Sequence, residues 1–321
     1  MGDSGADVLV LRSGGPGLPA EELAEAVRAR LPDRTVVLAR SPAEELEYAR
    51  TARVITGYGM REELVSAAEN LALYAHVGSG TGGLPMEAFA EAGVAVTNAS
   101  GLMPQVAEQV VGYLLFFARR FDEAWARNRE HEWRRFQPDS LRGSTVTVVG
   151  LGSIGRQLVD RLRGFDVRTV GVRYTPGKGG PTDEVIGYDE NALHEVLSRT
   201  DYLVLACPLS DTTRGLIGRA ELSTLPTTAV LVNVARGPVV DTDALTAAVR
   251  NNTLAGAGLD VTDPEPLPSD HPLWEFDNVF ITPHTAGNVP EHWANVADLL
   301  ARNLERVAET GSYEDLTNQV R

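Results

Sequence analysis

The chain has 321 residues, 43% of them hydrophobic, and no apolar run near the length of a membrane span, which suits a globular protein of about two domains. A net charge of -15 disfavours nucleic acid and anionic membrane as partners, because phosphate neutralisation needs clustered Lys and Arg. One cysteine, Cys207, excludes an internal disulfide, and with six histidines lacking close ligand spacing no metal is expected.

The N-terminus, MGDSGADVLVLRSGG, has no basic region followed by a long apolar stretch, so a cytoplasmic protein is expected. A first βα series follows: DVLVL, TVVLA (35–39), ARVITG (52–57), LALYAHVG (71–78) and VAVTN (94–98) read as strands, separated by helical patterns such as PAEELAEAVRARL. QVAEQVVGYLLFFARRF (105–121) reads as one long apolar helix carrying Glu108. A second series starts at Leu141 with strands TVTVV (145–149), VRTVGV (167–172), YLVLA (202–206), AVLVN (229–233), AGLDV (257–261) and VFITP (279–283). Strands alternating with helices imply parallel sheets covered on both faces, an α/β class. TPGKGGPTDE (175–184) reads as a flexible loop, and the segment after Asn288 as one more amphipathic helix.

A parallel sheet binds ligands beyond the carboxyl ends of its strands, so the residues after each strand of the second series carry the chemistry. Gly150, Gly152 and Gly155 lie between a strand and a helix, the arrangement that brings a pyrophosphate to backbone N–H groups at a helix N-terminus. About 20 residues on, where a fold preferring NAD carries Asp or Glu, stands Arg173, followed by Tyr174, Thr175 and Lys178. A guanidinium binds phosphate through two bonds, so NADPH is the expected cofactor, with NAD possible; the alternative is a solvated arginine over the adenine. Arg236, Glu265 and His284 form the catalytic constellation: a clamp for a carboxylate, a histidine able to exchange protons near neutrality, and a carboxylate to orient its ring. Taken singly, each has a bland reading, as a surface ion pair, a rigid Pro-Glu-Pro loop or a structural histidine.

The segments VGLGSIGRQL, CPLSDTTRGLIG, NVARGPVVDTDAL, GLDVTDPEPLPSDHPLW and ITPHTAG, in this order and spacing, resemble the D-2-hydroxyacid dehydrogenase family, particularly its glyoxylate and hydroxypyruvate reductase-like members. The likeness continues through AHVGSGTGGL, NASG, VAEQ and Trp133. It implies two Rossmann-like, doubly wound domains: a dinucleotide-binding domain (104–285) inserted into a flavodoxin-like substrate-binding domain made of 1–103 and 286–321. It implies that Arg236 binds the carboxylate and C2 oxygen of a 2-oxo acid, that His284 donates a proton as NAD(P)H delivers hydride, and that Glu265 supports the imidazolium. By the same resemblance Asp260 and the backbone of Val234 hold the nicotinamide amide. Ser153, Ile154, Pro208 and Thr213 would line the cofactor groove, and Ser79 and Gly80 would meet the substrate carboxylate. A homodimer through the cofactor domains is also implied. Gly82 stands where many members carry an acidic residue. Tyr58, Met60, Leu102, Met103 and Trp293 read either as the substrate side-chain pocket or as ordinary packing. Two other functions share these features: a phosphite dehydrogenase, with the same Arg, Glu and His pattern, and a dehydrogenase-shaped corepressor.

Overall fold

Val8 and Val10 pack into one apolar cluster and Leu9 and Leu11 into another, the period-two alternation of a strand covered on both faces. In the computed structural model, which describes residues 6–15, 19–101 and 104–321, the first three form β1 (Val8–Val10) and Leu11 follows it. β1 shares a sheet with β2 (Val36–Leu38), β3 (Val54–Gly57), β4 (Leu73–His76) and β5 (Ala95–Thr97). All pair in parallel in the order β2-β1-β3-β4-β5, the flavodoxin-like arrangement. Helices α1 (Ala20–Arg30), α2 (Pro42–Ala49), α3 (Glu62–Ala67) and α4 (Met86–Glu91) connect the strands.

The second sheet holds seven parallel strands: β6 (Thr145–Val149), β7 (Arg168–Val172), β8 (Glu184–Ile186), β9 (Tyr202–Leu205), β10 (Val230–Asn233), β11 (Gly256–Leu259) and β12 (Val279–Ile281). Their order, β12-β11-β10-β9-β6-β7-β8, is the doubly wound dinucleotide-binding topology with one added strand. α5 (Gln105–Ala118), α6 (Phe121–Arg129), α7 (Ser153–Leu162), α8 (Glu190–Leu197), α9 (Arg219–Thr224) and α10 (Thr242–Arg250) belong to the same part of the chain. Residues Pro104–Gly287 make this unit; Met1–Met103 and Asn288–Arg321 make the other. Ala286 stays with the second unit, because its N–H donates to the carboxylate of Asp260.

Two local expectations change. The apolar helix from Gln105 stops at Ala118: Arg119 caps it and Arg120, at φ 52°, turns the chain left-handed before α6 begins at Phe121. Within TPGKGGPTDE, residues Pro176–Lys178 form one 3-10 turn that exposes Lys178, and the segment's last residue opens β8. That strand was hidden because it has three residues and starts with a charge; Glu184 pairs with Arg168 and Arg199. Those arginines hold the Glu184 carboxyl below the usual carboxylate range.

The last helix, α11 (His292–Thr310), returns to the first unit, where Trp293, Val296, Ala297, Leu300 and Leu304 join the cluster on one face of its sheet. At its start His292 is buried, and its Nε2 lies 3.1 Å from the Val77 carbonyl just past β4. A carbonyl only accepts, so Nε2 carries the proton and donates, while Nδ1 is without a partner among the described residues. Burial pushes His292 below the usual histidine range, although the bond to Val77 works the other way. The fold therefore prefers the neutral ring, and that contribution to stability, complete above the ordinary histidine range, is lost as pH falls through it. We expect the melting temperature to drop more between pH 7.5 and 5 in the wild type than in His292→Gln, whose amide can still donate to Val77. Equal drops in the two proteins would show that the ring does not titrate with folding.

Candidate active site

The strand order of the second unit reverses between β6 and β9, and there the turn after β6 meets the turn after β9. Gly150 takes φ +103°, and a Cβ on it would stand 2.6 Å from the Ala206 carbonyl oxygen, so no other residue fits. Gly155 lets α7 approach the strand: a Cβ there would lie 2.0 Å from the Gly150 carbonyl. Gly152, by contrast, faces open space and caps α7, whose first residues Ser153 and Ile154 are at least partly exposed. An open glycine before a ten-residue helix with free N–H groups suits a dinucleotide pyrophosphate.

The flanking turns are held by their own bonds. After β7, Arg173 donates from Nη1 to the Gly179 carbonyl at 2.6 Å, which fixes its direction. No carboxylate pairs with it among the described residues, and Tyr174 and Thr175 beside it are exposed. After β9, Thr213 is buried; its hydroxyl donates to the Pro208 carbonyl at 2.6 Å and accepts from the Ser210 N–H at 2.9 Å. It shapes the turn that carries Pro208. Cys207 is buried in the same turn, and burial pushes its thiol up to about 11. After β10, the N–H of Val234 is taken by the Leu205 carbonyl.

The other cluster follows β10, β11 and β12, three neighbouring strands whose ends align because Asn233 is in register with Leu259 and Leu259 with Ile281. His284, three residues past β12, has Nδ1 2.6 Å from Glu265 Oε1. With an ionised Glu265 the proton sits on Nδ1, and Nε2 is without a protein partner among the described residues. The His284 backbone is left-handed, φ 52°, a conformation a non-glycine residue holds only when its surroundings enforce it. The surroundings are explicit: its N–H lies 2.9 Å from both the Asp260 and the Thr282 carbonyls.

Asp260, buried at the end of β11, does more than its expected role suggested. Its Oδ1 accepts from Thr282 Oγ1 at 2.5 Å and from the Thr285 N–H at 2.9 Å, and both oxygens accept from the Ala286 N–H, at 3.2 and 3.1 Å. The carboxylate thus ties the chain on either side of His284. Arg236 lies on the adjacent strand end, half-buried, with its Nη1 donating to the Ala235 carbonyl at 2.6 Å and no carboxylate partner among the described residues. Gly237 brings this loop against the one bearing Glu265: a Cβ at 237 would fall 1.9 Å from the Thr262 carbonyl. The Thr242 hydroxyl also donates to the Asp263 carbonyl at 2.8 Å. Sequence reasoning missed Thr282 and Gly237, since a threonine before Pro-His and one glycine in a turn have no pattern of their own.

Ser79 and Gly80 lie in the first unit, past β4. Their turn is pinned by Asn98, whose Nδ2 donates to the Ser79 carbonyl at 2.8 Å, and by the Ala99 N–H, which donates to the Gly78 carbonyl at 2.9 Å. A Cβ at Gly78 would meet His76 Nε2 at 2.8 Å, so any other residue would displace that ring. Met60 and Trp293 are buried packing residues, Tyr58 is partly exposed beside the His76 ring, and Leu102 and Met103 lie outside the described residues.

Residues 111–286, more than half of the chain, match the family model described as D-isomer specific 2-hydroxyacid dehydrogenase, NAD binding domain. The chain belongs to the D-2-hydroxyacid dehydrogenase family. A glyoxylate reductase of Thermofilum pendens is 37% identical over 250 residues, 75% of this chain and 73% of that one. Among solved structures, a D-isomer specific 2-hydroxyacid dehydrogenase from Xanthobacter autotrophicus in complex with NADPH and MES is 29% identical, with TM-score 0.82 over 98% of each chain. An NADPH-dependent glyoxylate/hydroxypyruvate reductase from Sinorhizobium meliloti in complex with NADP and malonate is 29% identical, with TM-score 0.79 over 98% of this chain and 97% of that one. This dehydrogenase is thus an oxidoreductase whose second unit is an NAD(P)-binding domain, and no described helix is long and apolar enough to cross a membrane.

Proposed function

We propose that this dehydrogenase reduces small 2-oxo acids to D-2-hydroxy acids, with NADPH as its preferred cofactor and His284 as the proton donor. The observation that carries the reading is the pair of 2.6 Å bonds that orient His284 and Arg236 at aligned strand ends, leaving His284 Nε2 and the guanidinium without a carboxylate partner among the described residues. Arg236 grips the substrate carboxylate and the C2 oxygen through its planar fork. His284 gives its Nε2 proton to that oxygen while Glu265 supports the charged ring through Nδ1. The bound nicotinamide supplies the hydride that makes the new C–H bond at C2. Asp260 and the Val234 backbone face the nicotinamide amide, and the Ser79–Gly80 turn is the first unit's carboxylate-binding element. Gly150, Gly152, Ser153, Ile154, Gly155, Pro208 and Thr213 form the groove for the rest of the cofactor.

The preference for NADPH rests on Arg173, which has no acidic partner among the described residues and lies at the strand end where a ribose 2′-phosphate would be read. The two relatives solved with NADPH and NADP support it. We also propose a homodimer formed through the second unit. Phe121, Trp125 and Trp133 are 51%, 66% and 99% exposed along one stretch of chain, large apolar side chains of the kind a second copy would cover. The cytoplasm, where NADPH is maintained, is the proposed location.

Four outcomes test these statements. His284→Ala should lower kcat by about 10²- to 10⁴-fold with cofactor binding retained, and wild-type turnover would remove His284 as the proton donor. In Arg236→Lys a point charge replaces the fork, and kcat/KM for 2-oxo acids should fall by about 10- to 100-fold; an unchanged value would place the carboxylate elsewhere. Arg173→Asp should reverse the NADPH preference through the cofactor KM, by about tenfold or more, whereas an unchanged ratio of the two efficiencies would refute it. Sedimentation of Trp125→Glu should shift toward monomer, and an unaltered dimer would move the interface off this surface.

A further inference from the structure

We infer that Tyr113, on α5, is a positioning residue for the proton donor: through Thr282 and Asp260 it fixes the turn that carries His284. The inference rests on the proposed role of His284 for its effect on turnover, but its structural content stands apart from that role.

Tyr113 is fully buried, seated between β11 and β12. Gly258 makes room for its ring, since a Cβ at 258 would lie 2.6 Å from Tyr113 Cδ1, and Phe280 meets it edge-on with centroids 5.9 Å apart. Its hydroxyl is 2.6 Å from Thr282 Oγ1, which is 2.5 Å from Asp260 Oδ1. The Tyr113–Thr282 contact taken alone could run either way, but the chain of bonds as a whole cannot. The carboxylate of Asp260 receives N–H groups from Thr285 and Ala286 and acts as an acceptor throughout. Thr282 must therefore spend its single proton on Asp260, and its oxygen must accept from Tyr113. Burial pushes the Tyr113 phenol up to about 12, so it keeps that proton over the working range of the enzyme.

The consequence falls on His284, which lies between Thr282 and Thr285 in the sequence. Both flanks are tied to one carboxylate, and that carboxylate's side-chain donor is oriented from α5 by Tyr113. Without the phenol, Thr282 is released to rotate and one buried lone pair goes unmet. Asp260 then holds the residues on either side of His284 less firmly, and the ring, whose one side-chain contact is Glu265, is placed less sharply. Arg236 is on a different strand end and still binds the carboxylate, so the loss appears in kcat more than in KM.

The test compares Tyr113→Phe, Thr282→Val, their combination and Thr282→Ser, by steady-state kinetics with a 2-oxo acid and NADPH and by hydrogen–deuterium exchange over residues 282–287. Tyr113→Phe keeps the ring and its packing. Expected are a fall in kcat of about 3- to 10-fold with KM little changed, faster exchange at Thr285 and Ala286, a double variant no worse than the poorer single one, and near wild-type behaviour in Thr282→Ser. Unchanged exchange in Tyr113→Phe overturns the inference, as does full additivity of the two single effects. If exchange quickens but kcat stays at the wild-type value, positioning for catalysis is overturned, and His284→Ala in the same assay tells whether the proton-donor reading falls with it.

Discussion

In an all-parallel sheet every strand leaves at the same edge, so whatever follows the strands is gathered there whether or not it is adjacent in sequence. Arg236, Asp260 and His284 are separated by 20 residues and more, and the register of β10, β11 and β12 brings them to neighbouring strand ends. The same constraint sets the glycine turn after β6 against the turn after β9. Backbone close approach then does the fine placement. Only glycine at 150, 155 and 237 lets these loops touch, and each contact is too short for any side chain.

Much of this was legible in the sequence because it is written as periodicity and punctuation. Val8–Val10 and the strands of the second unit show their alternation or continuous apolar runs, and the glycines of 150–155 sit where a strand yields to a helix. The contact between His284 and Glu265 could be anticipated from chemistry, as a histidine and a carboxylate each held by prolines after adjacent strands.

Other features were not legible, for physical reasons. β8 is too short and too charged to show a pattern, and its place depends on Arg168 in β7 and Arg199 just past α8. The break after Ala118 comes from a left-handed arginine that propensity disfavours. Asp260 reads as a ligand group in the sequence, whereas in the fold a threonine hydroxyl and two backbone N–H groups already converge on it. A buried carboxylate is tolerated only when such donors surround it, so that residue is structural whatever else it touches.

The chain carries one lysine against 28 arginines, a bias with a practical side. Lys178, the single lysine, sits exposed on the turn that also carries Arg173 and Gly179. A reagent selective for ε-amines would mark that turn and no other side chain, giving a spectroscopic probe at one defined address of the molecule without any engineered residue.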